Sequence, residues 1–298
     1  MTNDDKIPDY ITFPKTFENY RWYKPIIVFI LSSIIMLILQ LILVGSSYAT
    51  LGVEFIKDIF GGGINALNNP TGIFLTDLII IIFIPALYIT SKIVKDRPFS
   101  SYSSSRGGWN FKLYLKALII PLILYIIYEL IDTYINGANG TFQFSLPIFI
   151  VILISIPLQC IAEEYMFRGL IMQTLGSWFN IPVLALIIQA IIFAMVHGYN
   201  SMGTIEMVVF GIIYGFFAWK TNGIEVSSAI HTANNLSLGL FVTFGHYTST
   251  SSPSLASVAS VIVFEIILFI IMYYVGEKTD WFGEVPENAQ NIELFSNE

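Results

Sequence analysis

Apolar runs of about twenty residues recur along this chain, each the length an α-helix needs to cross the roughly 30 Å hydrocarbon layer of a bilayer. Eight windows qualify, at about 25–46, 72–94, 113–133, 146–170, 181–198, 203–220, 224–244 and 256–276. Composition agrees with a membrane solvent: of 298 residues, 55% are hydrophobic and 12% charged, against roughly a quarter charged in a soluble domain. The expected fold class is therefore all-α, a polytopic membrane helix bundle of about eight transmembrane helices in one domain at 25–276. It is preceded by a polar segment at 1–24 and followed by a polar tail at 277–298.

Turn chemistry separates the windows: Gly61-Gly62-Gly63, Asn68-Asn69-Pro70, Ser100 to Ser105, Asn136-Gly137-Ala138-Asn139-Gly140 and Thr248 to Pro253. The residues before Lys24 are polar and mixed in charge, unlike a cleavable leader, so the first span is expected to stay as an anchor. Lys6, Lys15, Arg21, Lys24, Lys92, Lys95, Arg97, Arg106 and Lys112 precede the first span or join the second and third. In an eight-helix count Lys220 and Lys278 share their side, and Lys57 stands alone on the other. Cytoplasmic loops are enriched in Lys and Arg, so both termini are expected in the cytoplasm. The net charge of -7 comes largely from the tail, which gives no electrostatic case for nucleic acid. Cys160 is the single cysteine, which excludes an intramolecular disulfide.

Charge is rare enough here that its position matters. Ala162-Glu163-Glu164-Tyr165-Met166-Phe167-Arg168-Gly169 places three charges directly after the apolar run Ile148–Ile161. An ionisable group at bilayer depth costs several kcal/mol, so it is expected to face a polar cavity, to be paired, and to be used. Glu164 and Arg168 lie four apart on one helix face and can neutralise each other. Glu163 points about 100° away and is expected to be unpaired, fit to act as a base. The competing possibility is a helix end whose charges snorkel to the interface. Two of the three histidines, His197 and His231, also fall inside apolar windows, and Asn235 lies one turn beyond His231. The third, His246, follows Gly245 and is expected in a loop. The turn Asn180-Ile181-Pro182 sits nearly midway between Glu163 and His197, so an antiparallel hairpin would bring these two to one depth, about 25 Å from the turn.

Such a group suits peptide hydrolysis, which needs a base for water and donors for the oxyanion. Glu163 with His197 can activate water while His231 and Asn235 donate to the oxyanion. The same atoms, Glu163, His197 and His231, are also a plausible zinc set with a position left for water, and the residues alone leave both chemistries open. Asp77, Glu206, Glu265, Gln159, Gln173 and Gln189 are expected to hydrogen-bond between helices or at the interface, and Cys160 to be a small buried thiol.

Three motifs, Glu163-Glu164-x-x-x-Arg168, Phe193-x-x-x-His197 and His231-x-x-x-Asn235, resemble those of the CAAX prenyl protease and bacteriocin-processing (CPBP, or Abi) family of intramembrane proteases, which includes the type II CAAX prenyl endopeptidases. Arg97-Pro98-Phe99-Ser100-Ser101 is similar to the loop before that family's core. The resemblance covers a protease-like core at about 146–245. It implies that Glu163 and His197 activate water, that His231 and Asn235 hold the tetrahedral intermediate, and that Glu164 and Arg168 support the site. It leaves the cofactor as zinc or none. The expected function is intramembrane endopeptidase activity on a peptide or membrane protein segment, in a bacterial cytoplasmic membrane, with a role in bacteriocin self-immunity or peptide maturation. The rivals are a non-catalytic immunity or binding protein and, further off, a proton-coupled transporter.

Overall fold

A computed structural model of the chain describes residues 9–60, 69–137, 144–244 and 253–282. Among the described residues the architecture is helical and holds no strand. The long helices are α1 (Lys24–Leu51), α3 (Pro70–Ile81) with α4 (Phe83–Val94), α5 (Phe111–Asn136), α6 (Leu146–Glu164), α8 (Pro182–Met195), α9 (Ser201–Lys220), α10 (Glu225–Thr243) and α11 (Leu255–Thr279). The short ones are α2 (Val53–Phe60) and α7 (Gln173–Phe179). A helix thus occupies each of the eight apolar windows. Among the described residues six segments are long and apolar enough to cross a membrane, which makes the chain a multi-pass membrane protein. α8, with 14 residues, is short for a crossing, and α10 is diluted by Ser, His and Asn.

Helix boundaries follow local chemistry. The side chains of Asn69, Asn110, Asn200 and Ser254 each accept a bond from a backbone N–H in the first turn of α3, α5, α9 and α11, satisfying donors that a helix start leaves open. Asn180, at φ 56, closes α7 in the left-handed conformation, and Pro182 opens α8. The window at 72–94 is broken at Ile82, because Pro85 has no N–H and crowds the carbonyl of Ile81 one turn back. α2, which the windows do not reveal, carries Glu54, Lys57 and Asp58 and is too polar and short to register.

α10 lies at the centre, packed on α5, α6 and α9, with α3 against α6 and α8 against α9. Gly211 permits the α8–α9 contact: a Cβ there would stand 2.8 Å from the Cα of Ala190. Leu and Ile side chains remain exposed along α1, α5 and α11, as lipid-facing surfaces require.

The amino-terminal segment is not a free appendage. Tyr10, Ile11 and Phe13 are fully buried, the Tyr10 hydroxyl donates to the Tyr102 carbonyl at 2.7 Å, and the Trp219 indole donates to Asp9 at 2.5 Å. Burial raises the Asp9 carboxyl above its ordinary range, against the opposing effect of bonds from the Ile11 N–H and Trp219.

Candidate active site

The catalytic candidates are gathered where α6 changes its winding. Residues Tyr165–Met172 form a π-helical segment directly after Glu164, and α7 then continues to Phe179. The whole run from Leu146 to Phe179 has 34 residues, about 51 Å of helix, so it outruns a bilayer and the expected end at 170 is moved outward. π-Segments recur at functional sites because the wide turn redirects side chains. Here the segment carries Arg168 into a fully buried pair: Nη1 donates to Glu164 Oε1 at 2.8 Å, and Nη2 to the Gly211 carbonyl at 3.2 Å. The guanidinium also lies over the rings of Phe193 and Tyr214, at 4.6 and 5.4 Å. Removing either partner would strand a buried charge, at about 3–5 kcal/mol.

Glu164 also fixes the central imidazole. His231 Nδ1 lies 3.0 Å from Glu164 Oε1, and since a carboxylate accepts, Nδ1 carries the hydrogen. Nε2 then presents a lone pair, which accepts from Asn235 Nδ2 at 3.3 Å. Tyr214 stacks on the ring at 5.0 Å. The other hydrogen of Asn235 Nδ2 points to Gln159 Oε1 at 3.4 Å, and Gln159 Nε2 donates to Glu163 Oε1. Glu163 Oε2 has no hydrogen-bond partner and stands 3.7 Å from His231 Nε2.

Two expectations are corrected by this geometry. Glu163 is answered by Gln159 and His231 and not by His197, whose ring nitrogens stay beyond 4.0 Å of its carboxylate. Nor is His197 inside a helix. α8 stops at Met195 because His197 Nδ1 takes the Phe193 carbonyl at 2.7 Å, an end-of-helix bond, and Gly198 turns the chain at φ 66. The carbonyl can only accept, so His197 is left with a free Nε2. It borders a cavity of about 690 Å³ that also touches Glu163, Gln159, His231, Asn235, Asp77 and Glu206.

Of the other polar residues, Gln173 donates to the Ser101 carbonyl at 3.4 Å, Gln189 to Gly211 at 2.8 Å, and Glu265 accepts from Tyr125, all ties between segments as expected. Asp77 accepts from Ser155 at 2.5 Å and also lines the cavity. Cys160 is buried. His246 lies outside the described residues. Sequence reasoning missed Gln159 as a member of the site, although it precedes Glu163 by one turn on the same face, and that spacing was the available signal. Tyr214 gave no signal, since its approach to His231 depends on how α9 crosses α10.

A zinc ion would need its donors about 2.0–2.2 Å from one point. Among the described residues no three His, Cys, Asp or Glu side chains are gathered to hold a metal. Both nitrogens of His231 are engaged, by Glu164 and Asn235, and His197 stands apart from Glu163. The set Glu163, His197 and His231 does not fit the ion as arranged.

Residues 144–237, which contain every candidate of the site, match the family model described as Rce1-like, type II CAAX prenyl endopeptidase Rce1-like. A relative, the uncharacterized protein YyaK of Bacillus subtilis (strain 168), is 28% identical over 205 residues, covering 64% of this chain and 69% of that protein. No solved structure matches the chain. The similarity to Rce1-like type II CAAX prenyl endopeptidases thus spans residues 144–237, the stretch that carries the candidate site.

Proposed function

We propose that this chain is an intramembrane endopeptidase in which Glu163 activates water, working in a bacterial cytoplasmic membrane with both termini in the cytoplasm. The observation that carries the proposal is that Glu163 lines the cavity while its buried Oε2 has no hydrogen-bond partner and stands 3.7 Å from His231 Nε2. A water entering from the cavity as Asn235 Nδ2 turns away from His231 Nε2 donates one hydrogen to Glu163 Oε2 and the other to Nε2. Glu163 takes one proton from that water as its oxygen bonds the peptide carbonyl carbon, and the carbonyl π pair moves to oxygen. Asn235 Nδ2, turning from Gln159 or His231, donates to that oxyanion. Glu163 returns the proton to the amide nitrogen as the C–N bond breaks, leaving a carboxylic acid and an amine. His231 is held in one tautomer and orientation by Glu164, which Arg168 neutralises. His197, whose Nε2 is an acceptor, takes a hydrogen from water or from a substrate N–H at the far wall.

Free energy favours this use of the residues. A positioned general base contributes on the order of 100- to 10,000-fold in rate, and donors aimed at a developing oxyanion in a dry site act with little reorganisation. The experiment is a comparison of new peptide termini in membranes from cells expressing wild-type protein or Glu163→Gln. Termini present only with wild type are expected and would identify the substrate. Identical sets would remove the case for proteolysis and leave the non-catalytic binding protein.

A further inference from the structure

The two ends of the bundle are built differently. One end gathers the basic residues: Lys24 Nζ donates to the Lys95 carbonyl at 3.5 Å, Lys15 Nζ to Asn180 at 3.3 Å, Arg106 Nη1 to the Phe282 carbonyl at 3.5 Å, and Lys220 pairs with Glu277 at 2.9 Å. That end is also plugged. The buried Tyr10, Ile11 and Phe13 fill it, the Tyr10 hydroxyl is tied to Tyr102, and Arg97 Nη2 donates to the Gly169 carbonyl of the π-segment at 3.2 Å. Directly beneath lie the Glu164–Arg168 pair, with no exposed side-chain surface, and the buried Phe167.

The cavity runs the other way. From Gln159 and His231 it extends to Asp132, Tyr199, Thr243 and Pro253, which lie at the far ends of α5, α8, α10 and α11. Asn200 Nδ2 donates to the Pro253 carbonyl at 3.3 Å, tying these ends together. His231 is about 18 Å from Thr243 along α10, so the cavity is a deep well. Lys57 is the one basic residue on that side of the sequence count. Basic residues flanking membrane spans stay in the cytoplasm, so the plugged end faces inward.

We infer that substrate reaches Glu163 from the extracytoplasmic side, which makes the substrate a peptide segment presented at the outer face of the membrane and not a cytosolic carboxyl-terminal tail. The inference rests on the proteolytic reading for the word substrate, but its sidedness is measured without cleavage. Leu238, which lines the well one turn from Asn235, is replaced by cysteine in the full chain, with Thr243→Cys as a second position nearer the outer helix ends and Lys15→Cys as the marker of the plugged end. Intact cells are treated with a small membrane-impermeant thiol reagent before and after permeabilisation, with wild type, whose Cys160 is buried, as background. The expected result is that Leu238→Cys and Thr243→Cys react to the same extent before and after permeabilisation, and Lys15→Cys only after it. Reaction of Leu238→Cys and Thr243→Cys only after permeabilisation, or at neither stage in protein that elutes as folded, would overturn the inference. Labelling from outside combined with unchanged membrane termini in the Glu163→Gln comparison would instead sink proteolysis and leave the sidedness standing.

Discussion

Gln159 decides how Glu163, the proposed base, is held. Its side chain is hydrogen-bonded to both Glu163 and Asn235, donating to the first and accepting from the second. Gln159→Leu keeps the volume and removes both bonds, so kcat is expected to fall about 10-fold or more while KM stays, because the loss concerns alignment and not peptide contact. A change in KM alone, measured on a peptide found by terminal profiling, would contradict that role. The donor geometry also sets an expectation for metals. Because His231 Nδ1 and Nε2 are engaged by Glu164 and Asn235, cleavage by purified protein should survive verified metal removal. Loss of activity restored by added zinc would show that the site rearranges to bind it.

At the level of elements, the buried amino-terminal residues 9–13 form a strap packed across α7. Gly176 in α7 lies under Ile11: a Cβ there would fall 2.1 Å from the Ile11 Cγ2 and 2.5 Å from its carbonyl oxygen. Gly176→Ala must therefore push the strap off α7, at about 1–3 kcal/mol by analogy with overpacked cores. The expected outcome is a lower melting temperature in detergent and faster proteolytic trimming of the amino terminus. An unchanged melt would mean that the strap contributes little to the fold. These links also mark where sequence reasoning stops. Apolar windows and Asn, Pro and Gly punctuation gave away the long helices, because span length and capping are local properties. The same cues extended α8 three residues past Met195, since the bond from His197 to Phe193 that ends it looks, in sequence, like one more helical position. The strap was hidden because its burial depends on Tyr102, Asn222 and Trp219, which are distant in the chain.

For the whole molecule, the polar residues that come together in the candidate site are legible in the sequence, and their pairing is not. Charge in an apolar chain is conspicuous, so Glu163, Glu164, Arg168, His197, His231 and Asn235 stood out, and the structure places all but His197 in one continuous network. Which imidazole faces Glu163 depends on how α10 sits between α5, α6 and α9, a packing result that no spacing encodes. In the proposed mechanism a deep cavity in a membrane bundle delivers a peptide and a water to the Glu163 carboxylate. The most direct test of that mechanism is the steady-state kinetics of Glu163→Gln in purified full-length protein, with peptide binding measured alongside. The expected result is a kcat lower by about 100-fold or more with unchanged peptide affinity, since Gln keeps the shape and loses the base. Cleavage at the wild-type rate by Glu163→Gln would contradict the account.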